Sequence, residues 1–210
     1  MTNSFDAARH VFHSPKFQSV VDDAIKFFAK TPEHPLPPPT QFIGSGVYGL
    51  YYVGDYELYA KISVLNQSAC VQPIYVGKAV PPGWRTARVI GLQTPDLHQR
   101  LNQHARSIQQ GANLQIDHFK CKFMILTGVE GDLVVPIEAE LIRRYRPLWN
   151  SVVDGFGNHD PGSGRYNQAR SEWDILHPGR SWAGRLTGES ERQENIIAKI
   201  RQFLKESPLP

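Results

Sequence analysis

Two short aromatic runs, each marked by glycine, constrain this chain more than any other feature in it. Gly46-Val47-Tyr48 opens a run through Leu50, Tyr51, Tyr52 and Val53, and Ile74-Tyr75-Val76 is closed by Gly77 and Lys78. β-Branched and aromatic residues suit a pleated, buried surface, and glycine interrupts one. Both runs therefore read as strands, and as neighbours they would set the phenols of Tyr48 and Tyr75 side by side. Strands favour tyrosine for packing reasons alone, so the triplets by themselves do not separate a core role from a chemical one.

Residues further along change that balance. Thr94-Pro95 is a helix start and Gly111 a stop, with Leu97, Leu101, Ala105 and Ile108 forming the apolar stripe between them. Arg100 and His104 lie four apart, on one side of that helix and beside the stripe. Pro136 starts another helix, which must end before Pro147. Glu138 falls in its first turn, and Glu140, which cannot share the same face, is assigned to solvent. Asn150 closes the run Pro147-Leu148-Trp149-Asn150.

The remaining elements follow from the same rules. Ser14-Pro15 begins an amphipathic helix carrying Val20, Val21, Ala24, Ile25 and Phe28. The proline-rich run from Thr31 to Thr40 is expected to be extended, a stiff strap across the fold. Gly54-Asp55 reads as a turn, returning Tyr56–Val64 as a second strand of a hairpin. Lys120–Thr127 reads as a strand, with Leu133–Val135 as a short extension. From Asp154 to Arg185 the chain is glycine-rich and aperiodic, although Trp173, Ile175, Leu176 and Trp182 suit packing; irregular segments of this length tend to be functional or disordered. Asn195 to Leu204 is amphipathic and helical. The expected fold class is α+β: a small mixed or antiparallel sheet flanked by helices. Its expected divisions are an N-terminal helix and arm (1–45), a core (46–153) with an inserted loop at 79–93, and a C-terminal elaboration (154–210).

At 210 residues, 40% hydrophobic and 20% charged, the chain can bury a sizeable core without staples. The net charge of +3 does not by itself imply a polyanionic partner. The local balance is more telling: five basic residues against one acid between Lys78 and Arg106, and seven arginines against four acids between Arg143 and Arg185. Guanidinium forks suit phosphates and guanine edges, although a solvated, salt-bridged surface would look similar. Cys70 and Cys121 lack metal-ligand spacing and read as free thiols of a reducing compartment. No apolar run approaches membrane-spanning length and the first residues carry no signal core, so the expectation is a cytoplasmic protein without a membrane partner. Gly155-Phe156-Gly157 lacks the context of a dinucleotide fingerprint.

Taken in order, GVY (46–48), YVGK (75–78), RLNQH (100–104), EAELI (138–142) and PLWN (147–150) resemble the GIY-YIG nuclease superfamily. The spacing between the two tyrosine triplets is longer than is usual there. The resemblance implies phosphodiester hydrolysis by Tyr48, Tyr75, Arg100, His104, Glu138 and Asn150. Glu138 would hold one Mg²⁺, Arg100 would fork onto phosphate, and Tyr75 would bond the phosphate or the nucleophile. Tyr48 would be the general base, its phenolate favoured by Lys61, Lys78 or His104; whether Tyr48 or His104 accepts the proton stays open. Compact elaborations, and the stretches Asn158-His159-Asp160-Pro161 and His177-Pro178-Gly179-Arg180, resemble the superfamily's type II restriction enzymes that cut CCGCGG. That implies double-stranded DNA as partner, a homodimer on a palindrome, and Lys78, Arg85, Arg88, Arg165, Arg170 and Arg180 as DNA contacts. The alternatives are a structure-selective or repair nuclease of the same superfamily, or a catalytically dead DNA-binding module. RNA binding ranks last, since no common RNA-binding motif is present.

Overall fold

The computed structural model describes residues 5–84 and 94–206. Four strands form one antiparallel sheet: β1 (His34–Pro35), β2 (Gly46–Tyr52), β3 (Tyr75–Ala79) and β4 (Phe119–Ile125), in the spatial order β1-β4-β2-β3. The helices are α1 (Pro15–Ala29), α2 (Ala60–Leu65), α3 (Asp96–Gln110), α4 (Val134–Tyr145), α5 (Leu148–Ser151), α6 (Glu172–Leu176) and α7 (Gln193–Glu206). The architecture is the expected α+β one, and the sheet is antiparallel throughout.

β2 is paired on both sides and buried at all seven positions, so its sequence is apolar or aromatic without a polar face. Alternate side chains along a strand point to opposite faces, and the two sets build two cores. Tyr48, Leu50 and Tyr52 meet α3 through Leu97, Leu101, Ala105 and Ile108. The same cluster includes Trp149, Phe156, Trp173 and, from α7, Ile196, Ile200 and Leu204. Val47, with Val76 and Met124, meets α1 through Val21, Ile25 and Phe28, and α4 through Val134, Ile137 and Leu141.

Three segments differ from the sequence expectation. Tyr56–Val64 is not a returning strand: Glu57–Tyr59 is a 3-10 turn that runs into α2. Its buried residues Tyr59, Ile62 and Ser63 fall at i, i+3 and i+4, a helical period masked by strand-like composition. The proline-rich strap does more than cross the fold, since His34 and Pro35 pair with Cys121 and Lys120 as the edge strand β1. Proline is tolerated there because an edge position needs no second ladder bond. Leu133–Val135 is no strand extension; Gly128–Leu133 is a 3-10 turn and α4 begins at Val134. Pro136 then sits within the first turn, where the backbone N–H has no intrahelical partner to lose.

Candidate active site

The β2–β3 register brings the two tyrosines together. Tyr48 lies opposite Gly77, and Tyr75 lies opposite Leu50, two residues along and on the same face. The ring centroids are 6.3 Å apart. The Tyr48 ring lies directly over Gly77: a Cβ there would overlap the phenol, with its Cζ only 2.7 Å away. Glycine ends this triplet because the tyrosine of the other triplet occupies the space.

α3 supplies the next two groups. His104 is buried, and its Nε2 lies 2.5 Å from the Tyr48 hydroxyl. Burial, then the charge of Arg100, hold its pKa well below the ordinary histidine range. His104 is therefore neutral, and Nε2 is able to accept the phenolic proton. Burial also pushes the Tyr48 phenol up, with Tyr75 adding to the rise and Arg100 opposing it. His104 is thus not a cation favouring phenolate. Nor is Lys61, whose Nζ donates to the Leu204 carbonyl and ties α2 to α7. Arg100 is the cation that bears on both phenols.

The sheet's open edge, β3, lets groups from both faces reach one groove. Tyr48, Tyr75, Lys78, Arg100, Gln103 and Glu138 all line it. Lys78 forms an ion pair with Glu138, which lies in the second turn of α4, not the first. Glu140 is engaged on the helix surface by Arg143 and Arg144. Asn150 does not face the groove. Its Oδ1 accepts from the Val76 N–H at 2.8 Å, and its Nδ2 donates to the Val76 carbonyl at 2.9 Å. The side chain completes the ladder of an edge strand, between Tyr75 and Gly77.

The C-terminal region contributes residues that periodicity did not reveal. Arg100 donates from Nη1 to His159 Nε2 at 2.7 Å and to Gln103 Oε1 at 3.0 Å, and from Nη2 to the Gly157 carbonyl at 3.2 Å. Phe156 stacks on His104, with centroids 4.6 Å apart and planes 18° apart. The sequence resemblance marked the stretch holding His159, but not that it meets Arg100.

Of the expected DNA contacts, Arg180 is corrected by its surroundings. It is 2% exposed, and its guanidinium donates to both oxygens of Asp174 and to the carbonyls of Gly155, Phe156 and Asn158. All five N–H donors of an arginine are then used, so none is left for a base edge. His177 and Gly179 of the same motif are also structural. His177 is buried between Tyr59 and Asn113, and a Cβ on Gly179 (φ +148) would overlap the Gln110 carbonyl at the end of α3. Arg165 and Arg170 are exposed, and Arg165 lines a cleft with His159. Arg85 and Arg88 lie outside the described residues. Arg106, exposed on α3 beside the groove, was not singled out from sequence.

A metal would find one carboxylate here. Of the two acids that line the groove, Glu138 is engaged through one oxygen by Lys78, which leaves its other oxygen for a cation, whereas Asp96 accepts from Ser45 and Thr94. Among the described residues no cluster of three or more metal-ligating side chains occurs. That donor set fits Mg²⁺, which keeps several waters and uses one or two carboxylates.

An antiparallel sheet with paired tyrosines on β2 and β3, an arginine and histidine on the adjoining helix, and a glutamate from the opposite face define a GIY-YIG nuclease. The chain belongs to the Eco29kI GIY-YIG domain family, a restriction-endonuclease family, whose profile matches residues 40–204. No curated protein matches the chain. Among the described residues no helix is long and apolar enough to cross a membrane.

Proposed function

We propose that this protein is a cytoplasmic type II restriction endonuclease. It hydrolyses double-stranded DNA at a GC-rich palindrome, CCGCGG, and acts as a homodimer with one Mg²⁺ per site. The observation that carries this reading is Tyr48, backed by its hydrogen bond to the buried His104, lining the same groove as Tyr75, Arg100 and Glu138.

Glu138 would hold the Mg²⁺, with Lys78 steadying its carboxylate. When bound, the metal supplies Lewis-acid stabilisation of charge on the scissile phosphate and the departing 3′ oxygen. Arg100 has three donors committed to protein acceptors, which leaves two for a phosphate oxygen. Tyr75 donates its hydroxyl to the phosphate. Water attacks phosphorus as the P–O3′ bond breaks. Its proton passes to the Tyr48 oxygen while the Tyr48 proton moves to His104 Nε2. A phenol used as a relay in this way never has to ionise first, which matters because burial holds Tyr48 protonated. Binding of the anionic phosphate to Arg100 removes part of the positive field that keeps His104 weakly basic. Asn150 acts through β3 by fixing Val76. Lys78, Arg85, Arg88, Arg165 and Arg170 are the proposed DNA contacts, and a palindrome cut by one site per chain calls for a two-fold dimer.

The test is a plasmid digest with and without Mg²⁺, followed by run-off sequencing, for the wild type and for Glu138→Ala. Discrete fragments cut at one palindrome, lost in Glu138→Ala with binding retained, support the reading. Cutting without a motif would favour a structure-selective or repair nuclease. Salt-sensitive binding without cutting would favour a dead binding module.

A further inference from the structure

The loop at residues 155–159 is held from one side and holds from the other. On its inner side Arg180, locked by Asp174 with both side chains 1% exposed, takes the carbonyls of Gly155, Phe156 and Asn158. The Asn158 N–H closes the turn onto the Gly155 carbonyl at 3.1 Å. The Gly157 carbonyl is left facing the opposite way, toward Arg100. His159, next along, brings its Nε2 to Arg100 Nη1. The loop's one buried ring, Phe156, lies flat on His104.

We infer that His159 is a positioning residue of the active site. It fixes the Arg100 guanidinium so that the arginine's free donors face the two tyrosines, and the Asp174–Arg180 pair holds the loop that carries it. This inference rests on the nuclease reading. Several observations support it. The Arg100–His159 bond requires a lone pair on Nε2 and hence a neutral imidazole, and partial desolvation of the ring, with the charges of Arg100 and Arg180, lowers the His159 pKa and favours that form. Gln103, on the same helix as Arg100, cannot by itself fix the guanidinium plane, because its long amide is exposed and moves with many rotamers. The loop supplies acceptors from outside the helix at both Nη atoms, which sets the plane. His159 also lines the tyrosine groove and two further clefts, one of them shared with Arg100, so it stands at the rim where the guanidinium meets open space.

The test compares His159→Ala and His159→Gln with the wild type on the site found by the digest. Glutamine is chosen because its Oε1 can occupy the place of Nε2. The single-turnover rate at saturating DNA is read separately from the dissociation constant, which is measured without divalent cation. His159 is exposed, so an unchanged melting temperature controls for folding. The expected result is a rate lowered about 10- to 100-fold in His159→Ala, the order of loss that a small misplacement causes. Binding should be unchanged, and His159→Gln should recover most of the rate. The inference is overturned if His159→Ala cuts at the wild-type rate or if the loss lies in binding. It is also overturned if glutamine is as slow as alanine, which would assign His159 to proton transfer. A wild type that cuts no DNA would instead remove the nuclease reading itself, an outcome distinct from active wild type with an equally active variant.

Discussion

The Tyr48 hydroxyl and His104 Nε2 lie 2.5 Å apart in surroundings that keep both groups neutral. A buried phenol resists losing its proton and a buried imidazole beside Arg100 resists gaining one, so the pair is at rest with the proton on oxygen. Such a pair can pass a proton only when charge arrives to compensate, and in the proposed mechanism a phosphate on Arg100 would be that charge.

If the two residues form one relay, their losses must not add. Tyr48→Phe is expected to lower the single-turnover rate by about 10²- to 10⁴-fold, the range for losing acid–base catalysis, with DNA binding retained. His104→Ala should lose a similar factor, and the double variant should be little worse than either single one. Additive losses would separate the two roles, and near-wild-type cutting by Tyr48→Phe would remove the relay.

Asn150 predicts a different signature, because it touches β3 and not the groove. Asn150→Ala leaves the Val76 N–H and carbonyl without their partner, which should cost about 1–3 kcal/mol per unsatisfied group that stays dry. The strand segment that carries Tyr75 would loosen with it. Urea unfolding and cleavage rate should therefore fall together. A variant that lost cutting at full stability would show that the amide acts on the reacting groups themselves.

Arg180 and Arg165 should part company in the same way. Removing one partner of a buried ion pair typically costs about 3–5 kcal/mol, so Arg180→Met should melt early whether or not DNA is present. Arg165→Ala should leave the melting temperature unchanged, since the residue is exposed. It should reduce the salt dependence of binding by about one phosphate contact. The reverse pattern would return Arg180 to the DNA surface.

The parts of this protein readable in its sequence are those where a short-range rule fixes direction. Strand alternation sends Tyr48 and Tyr75 to one face, and helical spacing places Arg100 and His104 on one side of α3. The 56–64 segment misled because tyrosine, isoleucine and valine signal a strand by composition, while their burial spacing is helical. The meeting of His159 with Arg100 spans 59 residues and passes through an aperiodic loop, so no local pattern encodes it. The His177–Arg180 motif was visible as a resemblance, but its use was not. Burial decides that use: both the imidazole and the guanidinium face inward.

His177 makes that inward role measurable. Trp149 Nε1 donates to the Tyr59 hydroxyl at 3.1 Å, Tyr59 donates to His177 Nε2 at 2.6 Å, and Nδ1 donates to Asn113 Oδ1 at 2.7 Å. The chain needs a neutral imidazole, and burial, aided by Arg180, lowers the His177 pKa from 6.5 to about 3. The unfolded chain therefore takes up a proton below pH 6.5 that the folded chain refuses until about pH 3. Stability must fall as pH drops through that window, by up to about 1.4 kcal/mol per pH unit for one such group. His104 adds to the slope in the same direction. His177→Gln cannot titrate, so it should be less stable than wild type at pH 7 and should lose stability less steeply on acidification. Urea unfolding at neutral pH and at about pH 4.5 gives both numbers, with tryptophan fluorescence as the probe. Equal slopes for the two proteins would mean that His177 is protonated in the fold and that the hydrogen-bond chain runs the other way.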